Sequence, residues 1–394
     1  MSIDITSVRD DTPGCGSVVH FNNAGSSLPP SPVLDAVIDY LNVEARIGGY
    51  EMADARADQL ASVYDNAALL FGGHRNNWAF VESATRAWNA AFTALRFDKG
   101  DQILTTQAEY PSNMAGLLRA VEIQGAELVI VPDDASGQVD VDALESLLND
   151  RTRLVSLTHV PTQGGLINPA EQVGSLLRDT PVLYQVDACQ SAGQLPVNVD
   201  DIGCDILSFT GRKFLRGPRG TGMVWVGDAA LAQMGNPAGV DMQGASWDQP
   251  MAISPHAGAG RFEPYEVFFA GKVGLAVALD YASRLGINEI AKRNHELSAR
   301  LRTRLAALDR VSVHDKGSHK SAIVTFTVDQ YHSSAVKTYL TNQQINVSVS
   351  AEGSARLDFP ERNLTDVVRA SVHYFNTIDE VQAFVQTIDE LPVR

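Results

Sequence analysis

The sequence predicts an α/β protein with a mostly parallel central sheet flanked by helices, followed by a small α+β carboxyl-terminal domain. Three observations carry this. Short apolar runs alternate with amphipathic stretches from about residue 77 to 227; two long helical patterns follow; beyond them strands and helices segregate instead of alternating. A chain of 394 residues is also long for a single hydrophobic core.

In chain order, two helical patterns, VLDAVIDYLNVEARI and ARADQLASVYDNAALLF, precede the sheet. Then come WAFVES with ATRAWNAAFTALRF, DQILTTQ with PSNMAGLLRAVEIQG, ELVIVP with DVDALESLLND, RLVSLTHV with PAEQVGSLL, and PVLYQVDA. An apolar run followed by a stretch of 3.6 periodicity is a right-handed βαβ step, so these strands are expected to lie parallel. DILSFT and TGMVWVG have only a basic turn between them and are expected as directly joined neighbours at a sheet edge. YEVFFAGKVGLAVALDYASRLG and NEIAKRNHELSARLRTRLAALD are two helices broken at Gly286. VSVHD, AIVTFTV, SAVKTYLTNQQ, INVSVS, VVRASVHY and IDEVQAFVQTIDEL make the small layer. The expected division is an amino-terminal segment 1–20 packing on the small domain, a large domain 21–264 and a small domain 265–394.

A net charge of -16 and a pI near 4.9 argue against nucleic acid or anionic membrane as partners, because binding either needs clustered cations. The local exception is SFTGRKFLRGPRGTG, which holds Arg212, Lys213, Arg216 and Arg219. The start, MSIDITSVRDD, has two adjacent aspartates and no apolar run, unlike a signal or transit peptide, and no stretch approaches membrane-spanning length. Cys15, Cys189 and Cys204 are scattered without CxxC spacing, which argues against a disulfide framework and for a reducing, cytoplasmic setting. His159, His332 and His373 show no metal-ligand grouping, so no metal is expected.

In an open α/β sheet, ligands gather beyond the carboxyl ends of the strands. Ser83, Ala84 and Thr85 lie where a strand gives way to a helix, a natural nest of backbone amides for phosphate. Glu109 and Tyr110 end the next strand, Thr158, His159, Thr162 and Gln163 another, Asp187 and Gln190 follow PVLYQV, and Thr210, Arg212 and Lys213 follow DILSFT. A carboxylate, an aromatic ring, a lysine and phosphate donors on one rim are the parts that hold pyridoxal phosphate. Asp187 would keep the pyridine nitrogen protonated, Tyr110 stack on the ring and Gln190 bond the phenolic oxygen. Lys213 would form the Schiff base, with Arg212 disfavouring a second positive charge. Blander readings stand beside these. A single lysine is most simply a surface charge, the basic turn alone would suit a non-catalytic phosphate binder, and Cys189 reads as a small buried residue. Arg216 and Arg219 serve either a phosphate or the turn itself.

These residues resemble the class V aminotransferases and cysteine desulfurases of the fold-type I pyridoxal-phosphate enzymes, from FNNAGSS near the start to RASVHYFNT near the end. VDACQSAG matches the family's D-x-A-Q element and FTGRK its S/T-x-H-K element, with Asp187 and Lys213 26 positions apart. The resemblance implies pyridoxal 5'-phosphate as cofactor, Thr210 as a phosphate contact, Lys213 as catalytic proton shuttle, and Arg369 of VVRASVHY as binder of the substrate carboxylate. Asn23 and Ala24 of FNNAGSS would border the substrate. EYPSN is similar to the family's E-H-H/P-x-N element, with Tyr110 in the stacking position. Arg212 stands where the family has histidine, and Thr162 where desulfurases have asparagine, so Gln163 or Gln190 would take that contact. RFEPYE resembles the element through which a neighbouring subunit reaches the phosphate, with Glu266 in place of threonine.

The segment SVSAEGSARLDFPERNLTDVV, where desulfurases carry a persulfide-forming cysteine, has none. KFLRGPRGTG is one residue longer than the desulfurase loop and looks like that of the C–S lyases and epimerases of the family, among them the sulfoxide lyase of ergothioneine synthesis. The implied activity is cleavage of the Cβ–S bond of a cysteine-derived amino acid (thioether, sulfoxide or cystine) to pyruvate, ammonia and a sulfur species, without a persulfide cysteine. Epimerisation and transamination are the alternatives. The resemblance also implies a homodimer acting on a small-molecule amino acid.

Overall fold

The computed structural model describes residues 3–392. The central sheet has seven strands in the order Trp78–Val81, Gly222–Val226, Ile206–Thr210, Leu183–Asp187, Thr152–Thr158, Gln102–Thr106 and Glu127–Val131. The last five run parallel, and Gly222–Val226 runs antiparallel to both of its neighbours. The sheet is thus mostly parallel, as its βαβ rhythm predicts. The pair joined by the basic turn does not lie at the sheet edge as expected. GMVWV is buried along its whole length, and a fully apolar strand makes a poor edge. Trp78–Val81 covers it, pairing Trp78 with Trp225. The edge so formed is itself closed at one point by Glu263, whose carboxylate accepts the Phe80 N–H at 2.7 Å.

Strand side chains alternate between two cores, as the pleat requires. Leu207 and Phe209 join Leu104, Val155 and Tyr184 on one face. Ile206 joins Ile103, Leu154, Val224 and Trp88 on the other. The small layer is an antiparallel sheet of Val311–Val313, Ile323–Val328, Asp366–Ser371 and Ser348–Ala351. It shares a core with the helices Ile287–Ala306, Ser333–Asn342 and Ile378–Asp389.

The amino-terminal segment reaches both layers. Val8 joins the large core, Arg9 pairs with Glu380 at 2.8 Å, and Val19–His20 pairs in parallel with Ile345–Asn346. The helix Phe269–Leu285, assigned by the sequence reading to the small domain, buries its apolar face against Ser31–Ile47 and Ala57–Phe71 of the large layer. It ends at Gly286, whose φ of +84° turns the chain into the next helix.

Candidate active site

Two turns at the carboxyl ends of adjacent parallel strands build the centre of the site. Leu183–Asp187 delivers Asp187, and Ile206–Thr210 leads into the turn that carries Lys213. Asp187 accepts the Cys189 N–H on one oxygen and the Asn113 side-chain amide on the other, both at 2.8 Å. The Lys213 amine lies 3.2 Å from the Cys189 sulfur. The turns close on each other because of Gly193: a Cβ there would sit 2.5 Å from the backbone of Phe214 and Leu215, and its φ is +88°. Burial pushes the Lys213 amine below the usual lysine range; Cys189 and Asp187 pull it back, and Arg212 adds to the lowering. Arg212 therefore has the expected sign of effect, but burial is the larger cause. The Arg212 guanidinium donates to the Gly25 carbonyl.

Beside this centre, Ser83 caps the helix Ala84–Phe92, its hydroxyl accepting the Arg86 N–H at 3.2 Å. The first turn of that helix presents backbone amides suited to an anion. Gly222 lies directly against it, where a Cβ would come within 2.6 Å of the Ser83 backbone. Thr210 donates to the Thr221 carbonyl at 3.1 Å, so it stands next to the same turn, while Thr85 is exposed at its outer side.

The small layer contributes Arg369. Its guanidinium donates to the Ser348 hydroxyl at 2.9 Å and to both the carbonyl and the hydroxyl of Thr162. It is buried and has no carboxylate within ion-pair distance among the described residues. Burial lowers its proton affinity to about 10, which still leaves it cationic at neutral pH. The Thr162 hydroxyl also accepts from Gln190, whose amide reaches the Ala24 carbonyl at 3.1 Å. Thr162 thus links the small-layer arginine to the large-layer glutamine. Gln163 is buried on the same connection, within 3.5 Å of the Ala108 carbonyl. The amide oxygens of Gln163 and Gln190 are both buried without a partner, so the site has unmet capacity to receive donors. Tyr110 caps the helix Pro111–Gln124 and is half-buried at the rim. The Asn23 side chain is committed to the His20 and Ser371 carbonyls and to Ser27, so of the FNNAGSS pair Ala24 is the one bonded to the site through Gln190.

Arg216 is turned away from this site and buried behind it. Arg219 and Glu266 are exposed. The structure adds to the reading of Cys189 as a small buried residue, since its thiol faces the Lys213 amine; its place two residues after Asp187 is the signal that could have found the contact. Sequence reasoning also passed over Asn113, which the EYPSN stretch holds in plain view. A cavity of about 770 Å³ lies between the layers along Asp134, Asp140, Asn168 and His319 and includes neither Lys213 nor Asp187. Among the described residues no helix is long and apolar enough to cross a membrane, and no cluster is arranged to hold a metal.

The residues present fit pyridoxal phosphate: helix-terminal amides for its phosphate, a carboxylate for its ring nitrogen, an aromatic ring for its face and a weakly basic buried amine for its aldehyde. A family model described as aminotransferase class-V matches residues 19–384. The chain belongs to the aminotransferase class-V family. It is a pyridoxal-phosphate enzyme of the desulfurase-like kind within that family. Among class-V relatives, a probable cysteine desulfurase of Methanothermobacter thermautotrophicus is 26% identical over 98% of this chain and 97% of its own length. A cysteine desulfurase of Thermococcus onnurineus, solved in the apo state, superposes with a TM-score of 0.91 at 26% identity, covering 99% of this chain and 98% of that one. A cystine C–S lyase in complex with its reaction product, cysteine persulfide, shares the class-V fold with a TM-score of 0.86 at 23% identity, covering 96% of this chain and 99% of that one.

Proposed function

We propose that this enzyme cleaves the Cβ–S bond of a cysteine-derived amino acid, a thioether, a sulfoxide or cystine, releasing pyruvate, ammonia and a sulfur species. The observation that carries the reading is Arg369, a buried guanidinium without an anionic partner, joined through Thr162 to Gln190 and so to the turn that holds Asp187. A substrate carboxylate supplies the missing anion, and a bidentate pair fixes the orientation of the amino acid. The likeness to cysteine desulfurases and a cystine lyase favours sulfur at Cβ.

When bound, the cofactor supplies an electron sink for the bond broken at Cα. The chain's own residues then do the following. Lys213, kept weakly basic by burial, takes the Cα proton with its amine nitrogen. Asp187 would keep a proton on the ring nitrogen, Tyr110 would cover one face of the ring, and the first turn of Ala84–Phe92 would hold the phosphate together with Thr210. Gln163 and Gln190 are the polar contacts near the ring oxygen. The electron pair left at Cα expels the sulfur, and water completes conversion of the three-carbon remainder to pyruvate and ammonia.

The sulfur leaves on the small molecule and not on the protein. Cys204 is buried in the large core, Cys15 packs against that core, and the segment before Arg369 has no cysteine. Cys189 does face Lys213, but burial pushes its thiol toward the protonated form, a poor acceptor of sulfur. The setting we propose is a cytoplasmic homodimer. Exposed apolar side chains on Ser31–Ile47 (Leu34, Ile38, Leu41) and on the hairpin Ala245–Pro255 (Trp247, Met251) support a second copy as the partner.

The test is pyruvate release by cofactor-loaded enzyme offered cysteine, cystine, cysteine thioethers and cysteine sulfoxide conjugates. Pyruvate from one of them names the leaving group. No pyruvate, with deuterium washed into Cα from solvent, would overturn the lyase reading in favour of epimerisation or transamination.

A further inference from the structure

We infer that Asn113 and Glu109 are positioning residues for Asp187: Asn113 keeps its carboxylate an acceptor aimed at the cofactor's ring nitrogen, and Glu109 holds Asn113 in the orientation that does so. The inference rests on the reading of Asp187 as the partner of that nitrogen. Asn113 sits in the first turn of Pro111–Gln124 and is 1% exposed. Its side-chain amide donates one N–H to Asp187 at 2.8 Å and one to Glu109 at 3.0 Å. An amide has two N–H protons, and both are used on carboxylates.

That arrangement constrains protonation. A proton on the Asp187 oxygen facing Asn113 would meet an N–H, and the other oxygen already accepts the Cys189 N–H. Asp187 is therefore held as an acceptor from two sides, against a burial that pushes its proton affinity up. An acceptor-only carboxylate demands a donor opposite it, which on a pyridine ring means the protonated nitrogen.

Glu109 explains why Asn113 cannot turn away. Its two oxygens accept from the hydroxyls of Thr105, Ser156 and Thr158, the Tyr110 N–H and the Asn113 amide. It is 5% exposed and has no lysine or arginine within ion-pair distance among the described residues. A buried carboxylate without a cation is costly, and a structural staple would be served as well by glutamine. What glutamine would lose is an acceptor-only group: its N–H₂ would stand among the donors that now fix the Asn113 amide, and that amide could turn. The Glu109 charge itself repels that of Asp187, so its effect runs through Asn113. Flipping the Asn113 amide would set its oxygen against both carboxylates, so Glu109 also fixes which end of the amide Asp187 meets.

The experiment uses holoenzyme reconstituted with cofactor labelled with ¹⁵N in the ring, reading the ring-nitrogen chemical shift, the pH midpoint of the visible absorbance and steady-state kinetics. In Asn113→Ala the nitrogen signal moves toward the unprotonated value, and kcat falls roughly ten- to a hundredfold while KM changes less, the scale seen when an outer-shell partner is removed. Glu109→Gln moves the signal in the same direction, and Glu109→Asp restores most of it. Asn113→Ser, which donates a single bond, lies between. Wild-type nitrogen signals in both Asn113→Ala and Glu109→Gln would overturn the inference, whatever happens to stability. Asp187→Asn is the separate control: if it leaves the signal unchanged, the reading of Asp187 itself has failed and the inference falls with it, a result distinct from wild-type signals in the two neighbour variants alone.

Discussion

Lys213 and Arg216 stand three residues apart in one turn, both nearly fully buried, and their surroundings are opposite. Arg216 donates to the Leu28 carbonyl at 2.8 Å, the Tyr374 hydroxyl at 2.7 Å and the Thr12 hydroxyl at 2.5 Å. Its guanidinium also lies within 6 Å of the Tyr281, Tyr374 and Phe375 rings, at 5.9, 5.2 and 4.7 Å. Lys213 has one weak neighbour, the Cys189 thiol. A buried cation whose every nitrogen has an acceptor holds structure together, whereas one whose donors are left open is poised to lose its proton and react.

The comparison breaks most sharply at Lys213. Lys213→Ala is expected to lower kcat by about 10⁴-fold or more, the upper range for a positioned proton-transfer group, with little loss of stability. Turnover assays paired with thermal melting decide it; substantial residual activity would make Lys213 another Arg216. The pH dependence carries the same message. The folded-state amine is shifted below the 10.5 of a free lysine, so the unfolded chain binds more protons between the two values. Relative to Lys213→Met, the apoenzyme should therefore gain stability as pH rises toward 10.5, and denaturant midpoints across that range would show it.

The opposite loss is expected at Arg216. Arg216→Leu leaves the Leu28 carbonyl and two hydroxyls without their donor and should destabilise the fold by about 2–4 kcal/mol. Turnover per folded molecule should fall far less than in Lys213→Ala. Urea unfolding with activity normalised to folded protein separates the two effects.

The parallel βαβ run, the rim of strand ends and the spacing of Asp187 and Lys213 are legible in the sequence because they follow from local periodicity and from one turn each; the place of Trp78–Val81 at the edge, outside the pair joined by the basic turn, is not. The fate of each cation in the basic turn is not. Arg216 is claimed by Thr12, Leu28 and Tyr374, which converge from distant parts of the chain, and its left-handed φ of 61° has no signature in a residue of that type. The helix Phe269–Leu285 is apolar and buried on most of its sides, a pattern that any layer could cover, so its sequence alone could not say that it joins the large layer. Glu109 shows the same limit: its caging hydroxyls come from two strands, Thr105 on one and Ser156 with Thr158 on another.

Arg219 is the smallest expected effect and the most useful control. It shares the turn with Lys213 and Arg216 but is exposed, with Gly220 beside it at a φ of +76°. A charge in water gains little from a distant phosphate, because solvent and salt screen it. Arg219→Ala should shift the melting midpoint by no more than about 1–2 °C and change cofactor affinity less than about threefold. Fluorescence titration of the apoenzyme with pyridoxal phosphate measures the second quantity. A larger loss would mean that Arg219 reaches a phosphate from outside the turn, and burial would then no longer separate the structural from the functional cations of this loop.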